Sequence, residues 1–453
     1  MENITRRLAG FAARLTYPAL PPALVDRLKT CLLDAIGCGL HGAGLPWAAI
    51  VNRWVMRQGG PPEATLWRQG FRGPCANVAL GLGVMIHAFD FDDYHNAKIH
   101  PGAPVIPAAL AVGELLHAPG REVLTAMAAG YETMIRISLA TGPKASRLKG
   151  WHLTGTTGTF GAAAAAGRLL GLSAEEMASA FGLAGTQSAG LWAFLSDGAM
   201  SKRLHPGRAS QSGVMAAFLA QAGFQGPTQI LEAADGGFCR ATSDAVDLTL
   251  ATDRLGERFH AAEVNIKPYA CCASSHSAVD AVLDLKREHG VAAAEVEAVC
   301  VQTARGVQVQ CGFDYHPAGA VRAQMSLQYI VAVALIDGAA LLAQFAEDRL
   351  ADPQVLELAR RVRIEVDPDI DRLYPERYAN RVAITLKDGR RLAARVDHAR
   401  GSAARPLGPA EVAAKFGSLS GGALSRERAD QVIERIARLD TMDVIGDLTR
   451  LLA

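Results

Sequence analysis

The 453-residue chain has no surplus of either charge: 46 lysines and arginines stand against 45 aspartates and glutamates, a formal net charge of +1. Nucleic-acid-binding and membrane-surface proteins draw their affinity from a marked basic excess, so both classes are excluded. Paired cysteines are also missing. The eight cysteines, at 31, 38, 75, 239, 271, 272, 300 and 311, form no C-x-x-C and no His/Cys group with zinc spacing. Nothing supports an iron–sulfur site, and the thiols read as buried or incidental in a reducing compartment. No metal and no cofactor are expected. The opening Met-Glu-Asn-Ile-Thr-Arg-Arg lacks the apolar core of a signal peptide. The longest apolar run, 329–345, is interrupted by Asp337 and Gly338, so no membrane span is expected and a soluble cytoplasmic protein is. There is no repeat of fixed period, no low-complexity linker, no G-x-S-x-G elbow and no G-x-G-x-x-G fingerprint.

What the chain does have is apolar bulk. Half of its residues are hydrophobic and a fifth charged, enough for two domains or one large domain with an insertion. Val25, Leu28, Leu32, Ala35 and Ile36 recur at helical spacing after Pro21-Pro22. Further helices are predicted over 47–57, from 76 to about 93, over 104–116 and over 122–141. Residues 155–223 are rich in alanine and glycine, which suits closely approaching buried helices. Ser173 with Glu176 makes a capping box, and Pro206-Gly207 reads as another helix start.

The pattern changes near 265. Segments 295–303, 362–366, 382–386 and 392–396 alternate as strands, and Lys387-Asp-Gly-Arg is a hairpin signal. Helices are predicted between them over 275–289, 321–344 and 353–360, and again from 410 to 452. The fold class expected is mainly α. A large helical domain, 1–266 plus 401–453, would carry an inserted α+β lid, 267–400.

Chemistry-bearing residues cluster in five places. The first is His87-Ala-Phe-Asp-Phe-Asp-Asp-Tyr-His-Asn-Ala-Lys-Ile-His100-Pro-Gly, at the end of the uncharged run 78–86. On a continuous helix His87, Asp90 and Tyr94 would share one face, with His100 returning from the following loop. The second places His152 just ahead of a small-residue helix. The third packs Lys202, Arg203 and His205 together. The fourth, Lys267-Pro-Tyr-Ala-Cys-Cys272-Ala-Ser-Ser-His276, falls at the predicted domain junction. The last is Cys311-Gly-Phe-Asp-Tyr315-His316. Two lysines, several histidines, an aspartate and tyrosines fit proton abstraction next to a carboxylate, with the cations stabilising enolate-like charge.

The motifs H-A-F-D-F-D-D-x(6)-H-P-G-A-P-V-I-P-A-A-L-A, G-W-H-x-T-G-T-x-G-x-F-G-A-A-A-A-A, S-K-R-L-H-P-G-R-A and I-K-P-Y-A-C-C-x-x-x-H stand in this order. They resemble the MmgE/PrpD family of 2-methylcitrate dehydratases, cis-aconitate decarboxylases and iminodisuccinate epimerases. The resemblance implies a helical domain with a smaller α+β lid, usually a homodimer. It also implies catalytic roles for Asp90, His100, His152, Lys202 and Lys267. Tyr94 stands where the family often has threonine, and Cys272 where the decarboxylase branch is expected to have histidine. Tyr315 lies near the family's tyrosine. On this reading Lys202, Lys267 and Arg203 grip carboxylates, and His100 and His152 divide base and acid duties. Asp90 orients a histidine and Tyr94 donates a hydrogen bond; His205 and His276 are structural. The expected activity is dehydration of 2-methylcitrate or a related hydroxy-acid. Decarboxylation or epimerisation in the same pocket is the alternative, and a carboxylate-binding protein without turnover a further one.

Overall fold

The computed structural model describes residues 3–453; the first two residues of the N-terminus considered above lie outside it. Its body is built of long helices: Pro22–Gly42, Cys75–Ile86, Gly102–Leu115, Gly120–Ala140, Leu153–Leu169, Ala174–Gly185 and Ser201–Gln221. The central one is Leu153–Leu169, buried from Leu153 to Gly167. Small residues make that possible. A Cβ at Gly161 would lie 2.9 Å from the Gly130 carbonyl oxygen, so the neighbouring helix can approach only a glycine there. Ser173 and Glu176 do form a capping box, at the head of Ala174–Gly185.

A hairpin of β1 (Ala64–Leu66) and β2 (Phe71–Gly73) packs against the body. The second layer holds the sheet of β3 (Val296–Thr303), β4 (Val362–Val366), β5 (Asn380–Leu386) and β6 (Arg391–Val396), in the order β4-β3-β5-β6. β3 runs parallel to β4, with Val299 opposite Val362, and antiparallel to β5, with Val299 opposite Ile384. The β5–β6 turn passes through Gly389 at φ 87, as the Asp-Gly pair requires. Helices His276–His289 and Leu327–Asp337 cover this sheet's core, and Pro409–Ser420 and Arg426–Ala437 return to the body, where Phe416, Val432 and Ile436 are buried.

The described residues form two apolar cores. Ile266 belongs to the first and Tyr269 to the second, so Lys267 lies at the crossing. Cys38, Phe89 and Phe91 of the body pack into the second core, which ties the layers together beside the 87–100 loop.

Three expected helices differ. The helix expected to reach about 93 ends at Ile86. His87 Nδ1 meets the Asp92 carboxylate at 2.9 Å, a contact five residues apart that a continuing helix does not allow, so His87, Asp90 and Tyr94 share no helical face. Pro206 starts no helix; it sits inside Ser201–Gln221, where it forfeits one backbone bond near the N-terminus. The helix expected over 321–344 is divided into Ala320–Met325, Leu327–Asp337 and a short turn, broken at Ser326 and at Gly338 with φ 67.

Candidate active site

Because the helix stops at Ile86, residues 87–100 form a buried loop, pinned by bridges from Tyr94 to Asn265 and from His95 to Ile99. Asp90 and Lys98 in this loop adopt left-handed backbone, φ 55 and φ 61. Such conformations cost a non-glycine residue about 1–3 kcal/mol and persist where the surroundings impose them. The loop's exit is equally constrained. Asp93 accepts from Gly102 N at 2.9 Å and from the Tyr131 hydroxyl at 2.7 Å, and a Cβ at Gly102 would come within 2.8 Å of that carboxylate.

Asp90 is the hub. Its Oδ1 lies 2.9 Å from Lys202 Nζ and 2.9 Å from Lys267 Nζ, and Lys267 also donates to the Asp90 carbonyl at 2.6 Å. Lys202 comes from the first turn of Ser201–Gln221, Lys267 from the crossing between the cores. Burial alone would raise the Asp90 carboxyl, but Lys202, Lys267 and the nearby imidazoles hold it well below the usual carboxylate range. Burial works against the Lys267 ammonium, and Asp90, Asp92 and Cys272 together more than restore it.

The histidines have definable tautomers. His100 Nδ1 lies 2.9 Å from the Asp93 carbonyl, and a carbonyl only accepts, so Nδ1 carries a proton. In the neutral ring Nε2 is then a free lone pair, 3.7 Å from Asp90 Oδ1. His87 Nδ1 donates to Asp92 in the same way; burial pushes His87 down to about 4, and its Nε2 has no partner. His152 precedes Leu153–Leu169 and shares a proton with His205 between their Nδ1 atoms, 2.9 Å apart. Burial, then His205, keeps the His152 imidazole neutral.

These groups surround a cavity of about 50 Å³, room for a few water molecules. Asp90, His100, His152, Lys202, Lys267, Tyr94 and Cys272 all line it. Cys272 Sγ accepts from Gln310 Nε2 at 3.2 Å, and a hydrogen bond from the Cys311 thiol beside it lowers the Cys272 thiol. Tyr94 stacks on Tyr378, 6.1 Å between ring centres, and burial raises its hydroxyl.

Two expected residues stand apart. Arg203 does not line the cavity: it donates to the Ala88 carbonyl at 2.7 Å and lies 4.2 Å over Trp47, facing a small recess behind Asp90. Tyr315 is not brought to the site either. Its hydroxyl donates to the Leu350 carbonyl at 3.1 Å and its ring packs on Tyr329, because the segment after Cys311 turns into the second core. His276, ranked as structural, donates from Nε2 to the Cys271 carbonyl at 3.2 Å, since a carbonyl only accepts.

Sequence reading missed Lys98 and Arg147, both on the cavity wall. Lys98 lay inside the first motif, but only the left-handed turn shows where it goes. Arg147 sits on the short helix Pro143–Leu148 with no neighbouring motif at all. His205, ranked as structural, touches His152 directly.

Among the described residues two clusters have the composition of metal sites. In His87/Asp90/Asp92/His100, Asp90 Oδ1 already faces two ammonium groups. In His95/His260/Glu263, His95 Nδ1 accepts from Ala97 N at 3.1 Å, so Nε2 bears the proton and offers no lone pair towards Glu263. Both donor sets are better suited to hydrogen bonding than to a dication.

Comparison with known proteins matches residues 6–251 to the MmgE/PrpD N-terminal domain and residues 269–440 to the MmgE/PrpD C-terminal domain. The chain is 30% identical to a cis-aconitate decarboxylase of Aspergillus terreus, covering 100% of this chain and 96% of that protein. Identity to the cis-aconitate decarboxylase of Mus musculus is 29%, over 100% of this chain and 94% of the relative. A 2-methylcitrate dehydratase of Cupriavidus necator is 25% identical over 80% of this chain and 78% of its own length.

Proposed function

Since the chain belongs to the MmgE/PrpD family, we propose that it is a lyase that decarboxylates cis-aconitate or a close tricarboxylate analogue. One observation carries the reading: Asp90 held between Lys202 and Lys267, with His100 Nε2 facing it across the cavity. The full-length likeness to cis-aconitate decarboxylases supports it. This displaces dehydration from first place among the readings.

The chemistry follows from the charges. In cis-aconitate the bond to the carboxylate on the methylene carbon breaks and leaves as carbon dioxide. Its electron pair forms a new double bond at that carbon and shifts the old one onto the carbon α to the far carboxylate. There it is delocalised as an enolate, which takes up one proton. Lys202 and Lys267 lower the energy of that enolate. For each turnover His100 Nε2 first takes up a proton from water, then delivers it to the enolate and returns to the neutral ring, with Nδ1 fixed on the Asp93 carbonyl so that the ring presents the reacting nitrogen. His152 and His205 can pass a proton along their shared bond.

Dehydration of 2-methylcitrate is the second reading. It is favoured by Cys272, which stands where the decarboxylase branch was expected to have histidine, and by the dehydratase relative. There His100 Nε2 acts in reverse as the base. The homodimer and the cytoplasmic, cofactor-independent enzyme belong to the same proposal; the described residues contain no helix long and apolar enough to cross a membrane. NMR of pure protein with cis-aconitate, citrate, 2-methylcitrate and iminodisuccinate separates the readings. Carbon dioxide release from cis-aconitate is expected. Water loss from 2-methylcitrate alone selects the second reading, and turnover of none of the four overturns both.

A further inference from the structure

The cavity has two positive poles. At the first, two ammonium groups, Lys202 and Lys267, share one carboxylate, Asp90, which leaves one positive charge in excess. The second pole is Lys98 and Arg147, both half-buried on the wall.

No carboxylate pairs with either among the described residues. Lys98 Nζ lies over the rings of Tyr374 and Tyr378, 4.6 and 5.8 Å from their centres. The Arg147 guanidinium lies 3.7 Å over Trp192, with its Nε buried and without a hydrogen-bond partner. Aromatic faces hold a cation in place without neutralising it. The groups acting on Lys98 are Cys272, Arg147, Cys311 and Lys144, and those acting on Arg147 are Tyr374, Cys311 and Cys272. Asp90 belongs to the other pole, and Cys272, which acts on Lys98 and on Lys267, stands between the two.

Burial pushes the Lys98 ammonium down to about 8 and the Arg147 guanidinium down to about 10, so both stay largely charged near neutral pH. Two like charges crowded against aromatic walls with hydrogen-bonding capacity left over are stabilised by an incoming anion. Four cations of the wall, Lys98, Arg147, Lys202 and Lys267, face one carboxylate, Asp90, and the Cys272 thiol, so the cavity is positive in excess and favours a polyanion. Resting on the polycarboxylate reading and going beyond it, we infer that Lys98 and Arg147 receive the carboxylates farthest from Asp90. They thereby make the enzyme select substrates with three carboxylates over those with two. These are binding residues that the motifs do not mark, and their contribution is to specificity rather than to proton transfer.

Titration calorimetry of the full-length protein with two unreactive probes tests this. Propane-1,2,3-tricarboxylate carries three carboxylates; glutarate has the same five-carbon chain without the central one. The wild type is expected to prefer the tricarboxylate by at least about tenfold, the scale of one charge-assisted contact. Lys98→Gln and Arg147→Gln should each narrow that preference, and the double variant should abolish it, while Lys98→Arg retains it. In turnover, the same variants should raise KM and leave kcat within about threefold, the signature of lost uniform binding. Melting and circular dichroism identify any variant that fails to fold, and Lys98→Arg then provides the folded comparison. Folded Gln variants that keep the wild-type preference overturn the inference. A wild type that binds both probes equally also overturns it, with the polycarboxylate reading intact. A wild type that binds neither sinks that reading as well.

Discussion

Two buried charge clusters in this protein look alike in composition and differ in what they leave over. In the first, Glu132 and Arg136 on helix Gly120–Ala140 are both fully buried, with Arg136 Nε 2.9 Å from Glu132 Oε2. Every arm is used: Glu132 Oε1 accepts from Ala261 N, and the two Arg136 Nη atoms donate to the carbonyls of Asp253 and Arg258, all at 2.7 Å. In the second, Lys202 meets only Asp90 among the described residues, both lysines crowd onto one oxygen of Asp90, and His87 Nε2 has no partner. Burial and charge are common to both. Unspent hydrogen-bonding capacity is what distinguishes a site that awaits a ligand from one that holds a fold together.

That comparison breaks if the two clusters respond alike to mutation. The largest effect should come from the unsaturated one: His100→Ala and His152→Ala are expected to lower kcat by at least about a hundredfold, within the range of general acid–base groups, with melting behaviour retained. Near-normal turnover in folded variants would show that these imidazoles only line the wall. The saturated cluster should do the opposite. Glu132→Ala leaves a buried guanidinium unpaired and should cost about 3–5 kcal/mol in chemical denaturation, with kcat per folded molecule unchanged.

Acid should sharpen the contrast. Burial pushes the imidazoles of His276 and His95 down to about 3 and about 4. An unfolded imidazole takes up its proton near pH 6.5, so between that pH and the folded values the unfolded chain binds more protons. Stability therefore falls as pH is lowered from about 6.5 towards 4, by on the order of 3 kcal/mol per imidazole at the acid end. Urea denaturation at pH 7, 6 and 5 measures the slope, and His276→Gln should flatten it; an unaltered slope would mean that other groups control acid lability. The smallest effect belongs to Tyr315→Phe, which removes one hydrogen bond to the Leu350 carbonyl and should cost about 1 kcal/mol with kcat and KM unchanged. A kinetic defect there would return Tyr315 to the site.

The long helices were legible because apolar spacing and capping residues are local: Pro21-Pro22 and the Val25–Ile36 periodicity, or Ser173 with Glu176, act within a few residues. So were the strands around Lys387-Asp-Gly-Arg. The identities of Asp90, His100, His152, Lys202 and Lys267 came from motifs, but their arrangement did not. A helix through 93 was the natural continuation of an apolar run, and it fails because His87 and Asp92 bond across the turn that replaces it. Lys98 and Arg147 were invisible because nothing in a sequence shows that a cation lacks a partner. Tyr315 went astray because a tyrosine offset from its expected place looks the same until its hydroxyl finds a carbonyl.

The cavity of about 50 Å³ has a consequence for timing. Asp90, His100, His152 and Lys202 come from the body, whereas Cys272 and Tyr378 belong to or pack against the second core, and Lys267 lies where the chain passes from one to the other. If the substrate is the six-carbon acid proposed above, it does not fit a space sized for a few waters, and on that reading turnover includes a separation of these walls and their return. Admission and reaction are thus mutually exclusive events. On the proposed mechanism the enolate would then arise only while bulk water is shut out, and an empty enzyme caught open would be chemically idle. The clock of such an enzyme can be set by the door rather than by the bond that breaks, and solvent viscosity is the dial that would reveal it.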